Sequence, residues 1–358
     1  MSKKTRYFLA GSAAVLAVGL CTGLFAYYGG GFPSLSASRS GPPELSYVPA
    51  DASIVAYANV GEIMASELRQ RLKQAMPDEK GQREFQEATG IDIERDIQYV
   101  VAAVTSAAPS NANGLVVARG NFNPTQLETL AREHGGVVEE YKGKRLVKVS
   151  DVRVETPPGG EEVHRVGHQM ALAFLEPGLV AIGGEQAIKS SIDAQLTAQS
   201  ITSNEDMMEL VADIDRGNNA WAVGRFDAIA NQANLPDQIR RQIPAVKTFA
   251  VMSHIDGGVS GTLRAEARDD QSAENLRQVV QGFIALGRMQ AGSDPRIAAM
   301  VQSLQLSGSG RTVSLSFTVP AEIFDMIPKV RGGGGAGAAV APAAPRPPQP
   351  PSPPQAEK

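Results

Sequence analysis

The chain begins with an apolar run that is long enough to cross a membrane. Residues 7–28 carry no charge and are rich in Ala, Val, Leu and Phe. As an α-helix rising 1.5 Å per residue this run spans about 33 Å, and a hydrocarbon core is about 30 Å thick. Lys3, Lys4 and Arg6 precede the run, and the first charge after it is Arg39. Because basic residues favour the cytoplasmic side, the pattern predicts a single-pass anchor with an extracytoplasmic body.

Two cleaved alternatives compete with a retained anchor. A secretory signal peptide ends in small residues, but Leu occupies the outer position of the exits at Ala26 and Ala37. A lipoprotein would use Cys21, yet bulky Leu20 precedes it and apolar residues continue to position 28. Both alternatives stay open, and the retained anchor is the favoured interpretation.

Beyond the anchor, the hydrophobic pattern alternates between a period of two and a period of 3.6. Short apolar runs predict strands at residues 53–58, 97–105 and 114–119. A helix is predicted directly after the first strand from the spacing of Val60, Ile63, Met64, Leu68 and Leu72. The repeating unit is therefore a strand followed by an amphipathic helix.

The helix after residue 122 has clear start and stop signals. Asn123 supplies an N-cap, Pro124 a first helical position and Gln126 a reciprocal cap. Gly135 predicts the end of the helix. Glu128 and Arg132 have the spacing of an ion pair on its outer face.

Turn residues then predict three hairpins and a closing helix. The turns lie at residues 141–144, 156–160 and 175–179, where Gly alone or Pro with Gly separates apolar runs. The helix covers residues 185–196.

The second half of the chain repeats the same order of elements. The predictions are a strand at 219–224, a hairpin of 246–255 and 259–267, a helix at 270–289, strands at 302–307 and 311–319, and a helix at 320–327. Asp256 and Gly257 form the hairpin turn. The apolar stripe predicted for the long helix consists of Leu276, Val280, Phe283 and Leu286.

These patterns predict an α+β fold with mainly antiparallel sheets, built from two divergent copies of a strand-helix-hairpin-helix unit. The predicted divisions are an anchor at 1–28, a flexible linker at 29–44, a first repeat at 45–205, a second repeat at 206–328 and a Gly/Pro-rich disordered tail at 329–358. The last 18 residues contain eight prolines, a composition that favours an extended polyproline II tail.

Composition narrows the possible partners and chemistry. The chain has 358 residues and a net charge of −4, so it carries no basic footprint for nucleic acid. Its single Cys excludes an intramolecular disulfide and a Cys-rich zinc site. The sequence contains no P-loop and no dinucleotide-binding motif. We therefore expect no cofactor, no metal ion and no catalytic residue.

Several residues invite a chemical interpretation that their context disfavours. His164 and His168 have a zinc-binding spacing only on a helix, and in the predicted strand they lie about 13 Å apart. His134 stands at the end of a helix, where its charge suits the helix dipole. His254 is predicted at a hairpin mouth, and Trp221 is predicted in the core.

Two short motifs were also weighed as sites. Asp213 and Asp215 open a segment that resembles a calcium loop, but Gly217 stands where that loop needs Asp or Asn. The glycine-rich segments at 257–261 and 307–310 lack the spacing of a nucleophile elbow. Both are interpreted as turns.

Four segments together resemble a family of uncharacterised, membrane-anchored bacterial envelope proteins, a domain of unknown function. They are residues 49–57, residues 89–97, Gly120 with Phe122 and Asn123, and Tyr141 with Gly143 and Lys144. The resemblance covers residues 45–327. It implies a bacterial, extracytoplasmic setting and transfers no catalytic residue.

The favoured hypothesis is a non-catalytic protein tethered in the bacterial inner membrane through residues 7–28, with a periplasmic body that binds or scaffolds an envelope protein or cell-wall component. The alternative is a cell-envelope hydrolase whose site the motifs do not reveal. A third possibility is a body that only shields or spaces membrane partners.

Overall fold

The computed structural model describes residues 41–75, 86–87, 89–105, 114–133, 135–155, 163–214, 217–226, 246–290 and 295–324. The first described element is a 3₁₀ helix, Pro43–Tyr47. The strands are β1 (Ile54–Ala58), β2 (Ile97–Val104), β3 (Gly114–Gly120), β4 (Val137–Tyr141), β5 (Lys144–Glu155), β6 (Val163–Glu176), β7 (Leu179–Gly184), β8 (Ala220–Arg225), β9 (Val246–Ile255), β10 (Gly258–Ala267), β11 (Gln305–Ser307) and β12 (Thr312–Pro320). The α-helices are α1 (Val60–Ala65), α2 (Glu67–Ala75), α3 (Ile93–Asp96), α4 (Pro124–Glu133), α5 (Glu185–Thr197), α6 (Glu205–Ala212), α7 (Asp270–Gln290), α8 (Pro295–Ser303) and α9 (Ala321–Phe324).

All twelve strands form one antiparallel sheet, in the order β11-β12-β10-β9-β8-β1-β2-β3-β7-β6-β5-β4. The strands of the two sequence halves meet at its centre, where β1 pairs with β8 and Tyr57 lies opposite Trp221. The predicted α+β class with antiparallel strands is therefore confirmed, and the two halves share a single sheet.

Helices pack on both faces of this sheet. Side chains alternate along β1, so Val55 contributes to a core with Ile188 and Ile192 of α5, while Ala58 contributes to another with Leu68 of α2. Small residues on the strands let the helices approach the sheet closely. Ala58 and Ala118 are both buried members of the second core. The 3₁₀ helix joins the first core through Leu45, which is fully buried.

Local sequence signals place most turns correctly. The two-residue turn Lys142-Gly143 joins β4 to β5 with both residues at positive φ, as a type I′ turn requires. Gly178, at φ +72°, follows Pro177 between β6 and β7. Asp256 and Gly257 join β9 to β10 as predicted, whereas the turn predicted at 156–160 lies outside the described residues.

The structure differs from the sequence predictions at the ends of several helices. The helix predicted from Val60 to Leu72 is two helices, because Ser66 ends α1 and its Oγ accepts a hydrogen bond from Arg69 N at 3.2 Å. Helix α8 was not predicted, and it shortens the strand expected at 302–307 to β11. Glu128 pairs with Arg145 on β5 in place of Arg132.

The long helix α7 departs from prediction in its burial. Ala273 and Ile284 are buried, but Phe283 and Leu286 of the predicted inward stripe are largely exposed. In the described part of the chain, no helix has both the length and the apolar character needed to cross a membrane. The predicted span at 7–28 lies outside the described residues.

Candidate functional site

A group of interacting carboxylate, arginine and tyrosine side chains lies where the described chain begins. It consists of Glu44, Tyr47, Tyr99, Arg119 and Glu176 and is called here the Glu44 cluster. Arg119 Nε donates to Glu44 Oε1 at 2.6 Å, and the Tyr99 hydroxyl donates to the same oxygen at 3.3 Å. Arg119 also approaches Glu176 Oε2 at 3.5 Å, and Tyr47 donates to Glu176 Oε1 at 2.7 Å. The cluster therefore joins the 3₁₀ helix to three strands of the sheet.

Burial makes the ion pair at the centre of this cluster energetically important. The side chain of Glu44 is 0% exposed and that of Arg119 is 26% exposed. Among the described residues, none donates a hydrogen bond to Glu44 Oε2. A buried carboxylate destabilises the folded state unless a partner compensates for the loss of its hydration. Arg119 is the partner that does this for Glu44.

The pKa shifts in the Glu44 cluster move its groups away from neutral pH. Burial, the hydrogen bond to Glu176 and its negative charge raise the pKa of Tyr47, and burial together with the charge of Glu44 raises the pKa of Tyr99. Burial is the largest single influence and would lower the pKa of Arg119, but the bond to Glu44 and the negative charges around it together raise this pKa. The bond from Tyr47 lowers the pKa of Glu176. A general acid or base works best with a pKa near the ambient pH, so these groups suit a fixed ionic contact better than proton transfer.

An aromatic row extends from this cluster across the centre of the sheet. Tyr57 stacks on Trp221 with ring centroids 5.6 Å apart, and Tyr57 and Tyr99 are 6.2 Å apart. Trp221 is buried, as its strand position predicted. Burial raises the pKa of Tyr57, and the negative charge of Glu62 raises it further. The row packs β8, β1 and β2 together.

A second set of charges links α2 to α3. Arg69 Nη2 donates to Glu94 Oε1, and Lys73 Nζ donates to Glu94 Oε2 at 3.1 Å. Burial alone would raise the pKa of Glu94, but these two hydrogen bonds outweigh it and lower the pKa. Glu94 therefore stays ionised and acts as a bridge between two helices.

A cleft of about 500 Å³ opens beside α4. Its lining residues are Thr89, Gly90, Ile91, Arg95, Asp96, Asn121, Phe122, Asn123, Pro124 and Gln126. Asp96 is the single carboxylate in this lining, and its Oδ2 accepts a hydrogen bond from Asp92 N at 2.8 Å. Hydrolysis of a glycosidic bond usually requires two carboxylates on opposite sides of the bond. The lining of this cleft supplies one.

One wall of the cleft is formed by the N-terminal end of α4 and by Gly90. Asn123 Oδ1 accepts from Gln126 N at 3.2 Å, as the sequence predicted. The side chain of Gln126 packs against Gly90, close to where a Cβ would lie. Gly90 has a φ of +72°, so its backbone conformation favours glycine, whereas the flexible end of Gln126 can move aside.

The structure disperses the histidines that the sequence singled out. His254 is exposed on β9 opposite Ser260 of β10. His164 and His168 both fall in strand β6, as predicted, and His164 lies opposite Val154. His134 and Cys21 lie outside the described residues. No group of three or more potential metal ligands forms within the described ranges.

The other two candidate motifs take part in turns and ion pairs. Asp213 caps the end of α6 and accepts from Arg264 Nη1 at 2.9 Å, while Asp215 lies outside the described residues. Gly308 and Gly310 have φ of +98° and +54° in the turn between β11 and β12. These positions fit turns at Asp213 and at residues 307–310, whereas residues 258–261 of the other glycine-rich segment belong to β10.

Sequence analysis did not identify the Glu44 cluster. Its members lie far apart in the chain, and Glu44 was placed in the linker because it follows Pro42 and Pro43. One local signal was available, since Leu45 and Tyr47 are large apolar residues within three positions of Glu44. An apolar pair directly after a Pro-rich stretch indicates that the folded body has already begun.

Comparison with known proteins adds little to this description. No protein-family model matches the chain, and no curated protein matches it. A solved structure titled "Structure of crystal form I of TP0453" aligns with 80% of this chain and 97% of its own, at a TM-score of 0.42 and 9% identity. A likeness this distant assigns neither a family nor a role to the chain.

Proposed function

We propose that this chain is a non-catalytic protein of the bacterial envelope, tethered in the inner membrane through residues 7–28, whose periplasmic body binds or scaffolds another envelope component. It would belong to the uncharacterised anchored family that its sequence resembles. The proline-rich residues 329–358 would extend from the body as a disordered tail.

The observation that carries this proposal is that the Glu44 cluster attaches the start of the folded body to the sheet. Its buried ion pair fixes the 3₁₀ helix, which is the first folded segment after the predicted anchor and linker. Any pull transmitted through a tether would act on this segment. A buried ion pair of the described body thus lies at the segment that a tether would pull on.

The electrostatics favour a binding role over the hydrolase alternative. The pKa shifts of Tyr47, Tyr99 and Glu176 all move away from the range useful for proton transfer at neutral pH. The cleft beside α4 is lined by one carboxylate. Neither place supplies the two carboxylates that hydrolysis of a glycosidic bond usually needs.

We also propose that the two halves of the body descend from one duplicated unit. Outward from the centre, β1, β2 and β3 of the first half are matched by β8, β9 and β10 of the second. In each half a helix follows the third strand, and the last strand of the half returns to pair with that third strand. This common order supports duplication, although the described residues of the second half include no counterparts of β4 and β5.

Co-purification from membranes tests the proposed function. Cells would express the full chain, a chain truncated after Val330, and a control in which residues 1–44 carry an unrelated folded protein. After crosslinking in intact cells, we expect the first two to retain a common envelope component that the control does not retain. Recovery of the same set with the control would contradict binding by the body. Hydrolysis of an envelope polymer that Asp96→Asn abolishes would contradict the non-catalytic assignment.

A further inference from the structure

The outer surface of α7 carries a row of large apolar side chains. Val279, Phe283, Leu286 and Met289 are 43%, 69%, 48% and 81% exposed, and they are called here the α7 stripe. Their spacing of four, three and three residues places them on one side of the helix. Soluble monomers rarely expose such a continuous apolar row without a partner.

The folding of α7 does not account for this stripe. The helix already contacts the sheet through Ala273 and Leu276, which pack in one cluster with Val313, and Ile284 on the same side is buried. At 100° per residue, the α7 stripe lies about a third of the circumference away from that buried side. The helix therefore has two apolar surfaces, and the sheet covers one of them.

The charges near the stripe favour a lipid surface as its occupant. From residue 279 to residue 290 the helix has one charged residue, Arg288, and this arginine is exposed. At 100° per residue Arg288 lies on the opposite side of α7 from Leu286 and Phe283, the side on which helices in the interface of an anionic membrane carry their positive charge. A stable pairing with a second copy usually buries about 800 Å² per partner, more than four side chains along about 15 Å of helix provide.

The length of the chain before the body makes this contact reachable. Residues 29–40 can extend at most about 40 Å between the predicted span and the first described residue. Twelve strands spaced about 4.8 Å apart make a sheet about 53 Å wide. The reach of the spacer and the size of the body are similar, so a tethered body stays close enough to touch the bilayer.

We propose that the α7 stripe inserts into the headgroup–acyl boundary of the bilayer that holds residues 7–28, so that the body lies against the membrane surface. This inference rests on the proposed tethering. It adds a second membrane contact and gives the body a defined orientation.

Site-specific fluorescence in the full chain tests the inference. In a Cys21→Ser background, Leu286→Cys would carry a polarity-sensitive fluorophore, and Gln281→Cys, exposed on the other side of α7, would be the matched control. Both proteins would be reconstituted into vesicles of phosphatidylcholine and phosphatidylglycerol, with and without nitroxide-labelled lipid. We expect a blue shift and a loss of emission with nitroxide lipid at position 286, and neither change at position 281.

Three outcomes would overturn the inference, and they can be told apart. Emission at position 286 like that at position 281, in chains that resist carbonate extraction, would leave the tether standing and reject the lipid contact. A blue shift without nitroxide quenching, reversed when the protein is diluted in lipid, would assign the stripe to a second copy. Extraction of the chain by carbonate would reject the tether and the inference together.

Discussion

At the scale of single residues, two buried or half-buried carboxylates are held by ion pairs with basic side chains. Glu44 is enclosed beside Arg119, and Glu94 bridges Arg69 and Lys73. Exposed ion pairs contribute little to stability, but removing one partner of a buried pair leaves an uncompensated group. Substitutions at Glu44 and Glu94 should therefore have effects that surface carboxylates do not.

Glu44→Gln tests the ion pair of the Glu44 cluster. The amide keeps the size of the side chain but loses its charge, so the Arg119 guanidinium faces a weaker acceptor. We expect the free energy of unfolding of the full chain, measured by chemical denaturation, to fall by about 2 kcal/mol.

The matched control for this substitution is Glu139→Gln. Glu139 pairs with Lys148 on the surface, and its side chain is 43% exposed. We expect little change in unfolding free energy, because solvent screens this pair. Equal losses in the two variants would show that enclosure of Glu44 adds nothing to the pair.

The lowered pKa of Glu94 predicts a pH dependence of stability. A carboxyl with a lowered folded-state pKa stabilises the protein above its unfolded pKa, and this contribution is lost as the pH falls through the lower folded value. Glu94→Gln should therefore destabilise the protein at pH 7, and the gap to wild type should narrow below about pH 4.5. Urea denaturation across this range would measure it, with exposed Glu139→Gln as the control. A gap that stays constant with pH would contradict the assigned ionisation.

At the scale of elements, the caps and turns that depend on neighbouring residues were predicted from the sequence. The N-cap at Asn123, the turn at Lys142-Gly143 and the turn at Pro177-Gly178 depend on residues adjacent in sequence, and all were predicted correctly. The break at Ser66 was missed because the apolar spacing continues across it. The exposure of Phe283 was missed because periodicity gives the apolar side of a helix but not what covers it.

Substitutions at two glycines in hairpin turns can distinguish the effect of backbone strain from that of steric contact. Gly143 and Gly178 have φ of +77° and +72°, but a Cβ at Gly143 meets no atom within 4 Å, whereas one at Gly178 would lie 2.8 Å from Gly120 O. We expect Gly143→Ala to cost about 1 kcal/mol of unfolding free energy from the left-handed conformation alone. Gly178→Ala should cost clearly more, because the β3 backbone must also move.

Thermal or chemical unfolding of both variants measures the difference. If the two substitutions destabilise equally, the close approach of the β6–β7 turn to β3 contributes nothing beyond strain. If Gly143→Ala is the more damaging, the account of both turns is wrong.

At the scale of the whole molecule, the sequence predicted the α+β class with mainly antiparallel strands. It could not predict that β1 and β8 pair, because that contact joins positions more than 160 residues apart and no local pattern encodes it. The Glu44 cluster was unpredictable for the same reason: its members come from the 3₁₀ helix, β2, β3 and β6. Only folding of the complete body brings them together.

The central claim, that the body is tethered outside the cytoplasm, is tested most directly by labelling in intact cells. Spheroplasts expressing the full chain with Cys21→Ser and Gln281→Cys would be treated with a membrane-impermeant maleimide before and after permeabilisation, and the purified chain would be weighed by mass spectrometry. The account predicts labelling before permeabilisation and a mass that includes residues 7–28. Labelling only after permeabilisation, or a mature chain that begins beyond residue 32, would contradict it.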